Sequence, residues 1–182
     1  WVIGLPGDRV TCCTEGHALT VNGVALTEPY LKPGDVPSTL TFDITVPEGK
    51  VAVANGLPRG DPVTADGWTT WSWDAPDEQA SYLTTASVGD YDLRFSQTPG
   101  GLPVIDAVDD NLTPANAAAT EAGLALQAEM IAFLEDTFVP YPFTAYGSIV
   151  DDDTVGYALE TQTRPVYSRA AREFTVVREL AH

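Results

Sequence analysis

Cysteine, methionine, histidine and basic residues are all scarce in this sequence, and each shortage removes a class of function. Of 182 residues, 2 are Cys, 1 is Met and 2 are His, while Lys and Arg together number 9 against 26 Asp and Glu. The two cysteines, Cys12 and Cys13, are neighbours, and a disulfide needs a wider Cα separation than adjacent residues comfortably reach. With His17 as the single nearby imidazole, a metal site there lacks two further ligands; two small strand residues facing opposite sides is the simpler reading. A net charge of −17 excludes a phosphate-tracking nucleic-acid binder and an anionic-membrane binder, both of which need basic surface. No signal peptide and no apolar run long enough to cross a bilayer stand out, so no transmembrane segment is expected. Trp1 at the start and a lone Met130 read as an internal segment.

What is present is enough for a packed core: 44% of the residues are hydrophobic. The first two-thirds read as strands between turn signals, among them Thr39-Leu-Thr-Phe-Asp-Ile-Thr-Val46, Val51-Ala-Val-Ala54, Gly67-Trp-Thr-Thr-Trp-Ser-Trp73, Ser81-Tyr-Leu-Thr-Thr-Ala-Ser-Val88 and Tyr91-Asp-Leu-Arg-Phe95. Asn22-Gly23 between Leu19-Thr-Val21 and Val24-Ala-Leu26 has the chemistry of a type I′ hairpin turn. Trp71 and Trp73 alternate around Ser72 and share one face of a strand, where sheet packing is a better account than a sugar or base platform. Two loop-rich stretches, Gly100-Gly-Leu-Pro103 and Asp109-Asp-Asn-Leu-Thr-Pro114, suggest a domain boundary. From Pro114 to Thr137 the spacing predicts one helix, capped by Thr113, started by Pro114 and stopped by Pro140 and Pro142. A strand at 145–150, a turn at Asp151-Asp-Asp153, a strand at 155–163 and a helix at 173–182 complete an α+β reading. The three aspartates lack the Gly-and-Glu grammar of an EF-hand loop and read as a solvated turn.

The final helix carries most of the chemical information. In the zinc-protease pattern H-E-x-x-H, two histidines four residues apart share a helix face and bind the metal, and the glutamate is the general base. In Val176-Val-Arg-Glu-Leu-Ala-His182, Glu179 and His182 stand where that pattern puts its base and its second ligand. Arg178 stands where the first histidine belongs, and a guanidinium has no lone pair for a metal. Beside a cation at His182 it would also add like-charge repulsion, roughly 4 kcal/mol at ~4 Å and an effective dielectric near 20.

Several stretches in order give this motif its context: Thr137-Phe-Val-Pro-Tyr-Pro-Phe143, Gly156-Tyr-Ala-Leu-Glu-Thr-Gln162 and the final helix, preceded by Thr41-Phe-Asp-Ile-Thr-Val-Pro-Glu-Gly49, Ala54-Asn-Gly56 and Ala80-Ser-Tyr-Leu-Thr-Thr-Ala-Ser-Val-Gly-Asp90. Together they resemble the gluzincin aminopeptidase family, the aminopeptidase N-like zinc enzymes, over about 37–182. Tyr157-Ala-Leu-Glu-Thr161 matches that family's G-A-M-E-N exopeptidase motif loosely, keeping the Ala and the Glu. The resemblance implies the end of an N-terminal β-domain at 51–105, followed at 106–182 by the start of a thermolysin-like α/β catalytic domain. It also implies Glu179 as general base, His182 as zinc ligand and Glu160 as the group that binds the free α-amine of a peptide substrate. Zinc is the parent family's cofactor. None is expected on this chain, since Arg178 replaces a ligand and a further ligand would have to lie beyond His182.

The first fifty residues resemble something else. Val2-Ile-Gly-Leu-Pro-Gly-Asp-Arg-Val10, Val21-Asn-Gly23, Glu28-Pro-Tyr-Leu31 and Pro37-Ser38 look like type I signal peptidase, a Ser/Lys protease with a β-rich catalytic domain. The family's Lys and Ser both fall upstream of Trp1, and the chain's own lysines, Lys32 and Lys50, are not at its catalytic position. The expectation is a join of two unrelated pieces near 37–50, with three readings of function. The first is a zinc-aminopeptidase-like segment inactive as it stands. The second is a silent β-rich binding or structural module, and the third a signal-peptidase remnant. These families act at or outside the membrane or in the cytosol; an extracytoplasmic or secreted origin is the expectation.

Overall fold

A computed structural model describes Val10–Thr11, Thr20–Val21, Val24–Ala25 and everything from Ser38 to His182. The chain forms two compact units, Trp1–Pro37 and Ser38–His182. In the first, β1 (Val10–Thr11), β2 (Thr20–Val21) and β3 (Val24–Ala25) make a small antiparallel sheet in the order β1-β2-β3. Val21 pairs with Val24, the register that a two-residue hairpin at Asn22-Gly23 requires; the turn itself, Cys12, Cys13 and Lys32 lie outside the described residues.

The second unit opens with β-structure. Strand β4 (Ser38–Pro47) pairs along its length with the long β8 (Trp68–Gln79), and β6 (Leu57–Pro58) and β7 (Val63–Ala65) also hydrogen-bond to β8. Strand β5 (Val51–Ala54) pairs with β9 (Ala86–Gly89). A 3-10 turn at Ser81–Leu83 replaces the first half of the strand expected from Ser81. Trp73 is buried in the core and Trp71 packs against the same cluster, with their indole N–H groups donating to the Ala52 and Lys50 carbonyls at 3.0 and 3.1 Å. The shared-face reading of these two residues therefore holds, and their role is packing.

A five-stranded sheet follows, ordered β10-β11-β12-β14-β13. Its strands are β10 (Tyr91–Gln97), β11 (Pro103–Asp109), β12 (Tyr146–Asp151), β13 (Ala158–Leu159) and β14 (Val166–Ser168). Strands β11, β12 and β14 are parallel, and β10 and β13 close the two edges antiparallel. The loop-rich stretches expected to mark a domain boundary flank β11, which is buried nearly throughout, as a central parallel strand must be. Its alternate residues serve two cores. Ile105 and Ala107, with Ile149, pack on Val53, Ala54 and Trp73. Val104 and Tyr146 pack on Ile131, and Val150 and Tyr167 pack on Met130 and Val176.

The parallel crossover from β11 to β12 runs through α1 (Pro114–Leu124) and α2 (Gln127–Thr137). Thr113 caps α1 by accepting the Asn116 N–H at 3.3 Å, as its position predicts. The single helix expected here is broken at Ala125 and Leu126, where Leu126 N–H reaches back three residues to Gly123. By length and composition alone the Pro114–Thr137 stretch is apolar enough to cross a membrane. It carries Glu121, Glu129, Glu135 and Asp136, and α2 buries Gln127, Met130 and Ile131 against the sheet, so the stretch serves as a packed crossover.

The chain after β12 departs most from expectation. The strand expected over 155–163 shrinks to Ala158–Leu159, the unanticipated β14 follows, and α3 (Glu173–Leu180) ends before His182. A buried polar clasp at 161–164 takes the chain out of the sheet. Thr163 adopts a positive φ of 63°, and its hydroxyl accepts the Gly56 N–H at 2.8 Å. Gly56 itself needs glycine's freedom: its φ is +79°, and a Cβ there would lie 2.1 Å from the Asp74 carbonyl oxygen.

Candidate functional site

Glu160 follows directly on β13, the edge strand beside α3, and the two elements share a core in which Ala158 packs with Val176, Val177 and Leu180. The fold therefore brings the Glu160 segment and the Glu179 helix into neighbouring elements. Glu160 is half-buried. Behind it the chain is fixed by groups from the β-layers. The Asn55 amide donates to Gln162 O at 2.6 Å and Leu83 O at 3.1 Å, while its oxygen accepts Thr85 N–H at 2.7 Å. Arg164 is fully buried; its guanidinium donates to Gly56 O at 2.6 Å and Ile105 O at 3.1 Å and lies 5.0 Å from the centre of the Trp73 ring. The sequence signalled none of this, because an arginine in a polar stretch reads as surface.

Helix α3 carries Glu173 in its first turn and Arg178 in its last, both favourable to the helix dipole. Its inward face is Val176 and Glu179, three residues apart. The Glu179 side chain is only 1% exposed, whereas that of Arg178 is 52% exposed. Arg178 Nε donates to Glu179 Oε1 at 2.8 Å, and Nη2 donates to the same oxygen. Neither Glu173 nor Asp152 pairs with Arg178; its partner is the buried Glu179. Burial above all, with the charge of Glu179 adding to it, pushes the Tyr167 phenol well up. His182 is exposed past the end of the helix.

These residues do not fit a zinc ion. The position where the pattern would place a first histidine holds the Arg178 guanidinium, which occupies an oxygen of the Glu179 carboxylate. Among the described residues, the one constellation of three possible ligands is Asp109, Asp151 and Asp152, and neither Glu179 nor His182 belongs to it. Two of those aspartates already have protein partners: Asp151 accepts the Tyr91 hydroxyl at 2.5 Å and the Asp153 N–H at 3.1 Å, and Asp109 accepts from Asn111. The 151–153 stretch is thus a hydrogen-bonded turn. A groove of about 380 Å³ between the 98–102 loop and α2 is lined by none of Glu160, Arg178, Glu179 or His182.

Residues 1–59 match the family model described as signal peptidase, peptidase S26. No curated protein matches the chain. Among solved structures, an M1 zinc metallopeptidase from Deinococcus radiodurans superposes with a TM-score of 0.71 at 26% identity, over 80% of this chain. A mutant of it bound to a Tyr-Ser-Ala substrate gives 0.70 at the same identity and coverage. The chain spans about a third (34%) of the length of these structures. The α+β fold is thus similar to part of an M1 zinc metallopeptidase, and a signal-peptidase-like segment stands at the start of the chain.

Proposed function

We propose that this chain carries the amine-recognition segment and the motif helix of a zinc aminopeptidase in a form that does not hydrolyse peptides. The observation that carries the reading is the Arg178 guanidinium seated on the Glu179 carboxylate, at the helix position where a first histidine ligand would stand. The side-by-side placement of β13 and α3 supports Glu160 as the carboxylate facing a substrate amine, with Glu179 as the former base and His182 as a surviving ligand position. A carboxylate held at a fixed place can pair with an α-ammonium and so register a peptide by its N-terminus. Zinc, when a protein of this kind holds it, polarises the scissile carbonyl and acidifies a water. On this reading the residues here would not hold it.

A serine-protease activity of the signal-peptidase type has no support in the described residues, because the Lys50 ammonium is engaged by Asp90 at 2.7 Å. Two measurements on the purified chain test the proposal: zinc by elemental analysis after dialysis against zinc, and turnover of aminoacyl-coumarin reporters. Substoichiometric zinc and no turnover are expected. Zinc at one equivalent with EDTA-sensitive turnover would overturn it.

A further inference from the structure

A carboxylate as deeply buried as Glu179 is costly to hold unless a cation and hydrogen bonds compensate it. It shares its inward helix face with Val176, which packs in a core with Tyr167, Val150 and Met130. Among the described residues, the cation paired with it is Arg178. Adjacent helix residues point about 100° apart and do not face each other, so only a long side chain can wrap round to reach the carboxylate. Arginine does so with two N–H groups on one oxygen while half of its surface stays in water. An imidazole at position 178 is too short to repeat that path.

We infer that Arg178 is the built-in counter-ion that allows Glu179 to be buried, making this helix a metal-independent, arginine-neutralised version of a metal-binding one. The guanidinium supplies permanently the positive charge that the carboxylate needs. Position 178 is therefore not a neutral gap that a histidine could fill. The two residues form a coupled pair, so loss of Arg178 is harmful only while Glu179 is charged. This inference concerns folding and charge, and it stands whether or not the chain binds peptides.

A double-mutant cycle read by thermal unfolding in EDTA tests it, using the full 182-residue chain as wild type, Arg178→His, Glu179→Gln and the double variant. The wild type unfolds at one Tm with or without EDTA. Arg178→His lowers Tm on the order of 5–10 °C, Glu179→Gln changes it little, and the double variant lies near Glu179→Gln. If Arg178→His does not fold, the double variant still decides: its recovery supports the pair, and its failure overturns it. Additive single effects, an Arg178→His Tm equal to wild type, or a wild-type Tm that falls in EDTA would each overturn the inference. Zinc titration of Arg178→His, read by the same Tm, is expected to leave the deficit in place; full restoration by one equivalent would show that the helix still holds a metal site.

Discussion

Arg164 offers the most direct test of how the β-layers and the five-stranded sheet hold one another. Its guanidinium is fully buried, donates to one carbonyl from each part and stacks near Trp73. Replacing it with methionine keeps most of the stem volume but removes two charge-assisted hydrogen bonds, about 1.5–3 kcal/mol each. It also removes a desolvated cation–π contact of about 2 kcal/mol. Against this stands the cost of burying the charge, which pushes the guanidinium pKa from 12.5 down to about 10 and so corresponds to about 3 kcal/mol that methionine recovers. The balance is a loss of about 2–5 kcal/mol, or a Tm lower by roughly 4–20 °C for a chain of this size. Arg164→Lys keeps the burial cost, but a single ammonium on a shorter reach cannot span both carbonyls, so it is expected to lose more than methionine does. Calorimetry and urea unfolding of the three proteins check the order wild type, methionine, lysine. A lysine variant as stable as wild type, or a methionine variant with a raised Tm, would refute the reasoning.

Two further substitutions probe the sheet itself. Burial pushes the Asp106 carboxyl up, against the lowering effects of the Gln127 hydrogen bond at 3.0 Å and the more distant Arg164 charge. A carboxyl whose folded pKa is raised binds its proton more tightly in the folded state, so its contribution declines as pH rises from the ordinary carboxylate value of 3.8 through the raised folded value, then stays flat. Asp106→Asn keeps the acceptor for Gln127 and is expected to stabilise the chain at pH 7 by about 1 kcal/mol while removing that slope; urea midpoints between pH 4 and 8 give the comparison, and an unchanged slope counts against it. Gly147 sits where a Cβ would lie 1.8 Å from the Ile105 carbonyl oxygen, a backbone atom of the paired strand β11. Gly147→Ala should therefore cost more than about 3 kcal/mol, seen as loss of soluble folded protein, and a near-native Tm would contradict the close approach.

Most of the strand positions in the β-layers were legible because half-buried strands alternate and turn residues punctuate them, as in β4 and β8. The cap and start of α1 were legible for the same local reason: Thr113 and Pro114 act within one turn. Strand β14 was not, since three residues between Pro165 and Arg169 are too few to show a period, and their place follows from pairing with β12. The break at Ala125 and Leu126 was hidden because both residues favour helix. Of the candidate site, Glu160, Arg178, Glu179 and His182 were legible as a pattern. Their partners were not.

By itself, the sequence determined many of the local elements and the fact that Arg178 is a guanidinium where the zinc-protease pattern would have an imidazole. Lone pairs belong to residue types, so folding cannot make a guanidinium a metal ligand. The tertiary structure decided that Glu179 lies inside, that Arg178 wraps round to neutralise it, and that Arg164 is buried at the joint behind Glu160. Burial and pairing are set by which surfaces meet across more than a hundred residues of chain, as Arg164 meets Gly56. No local pattern of residue types encodes them.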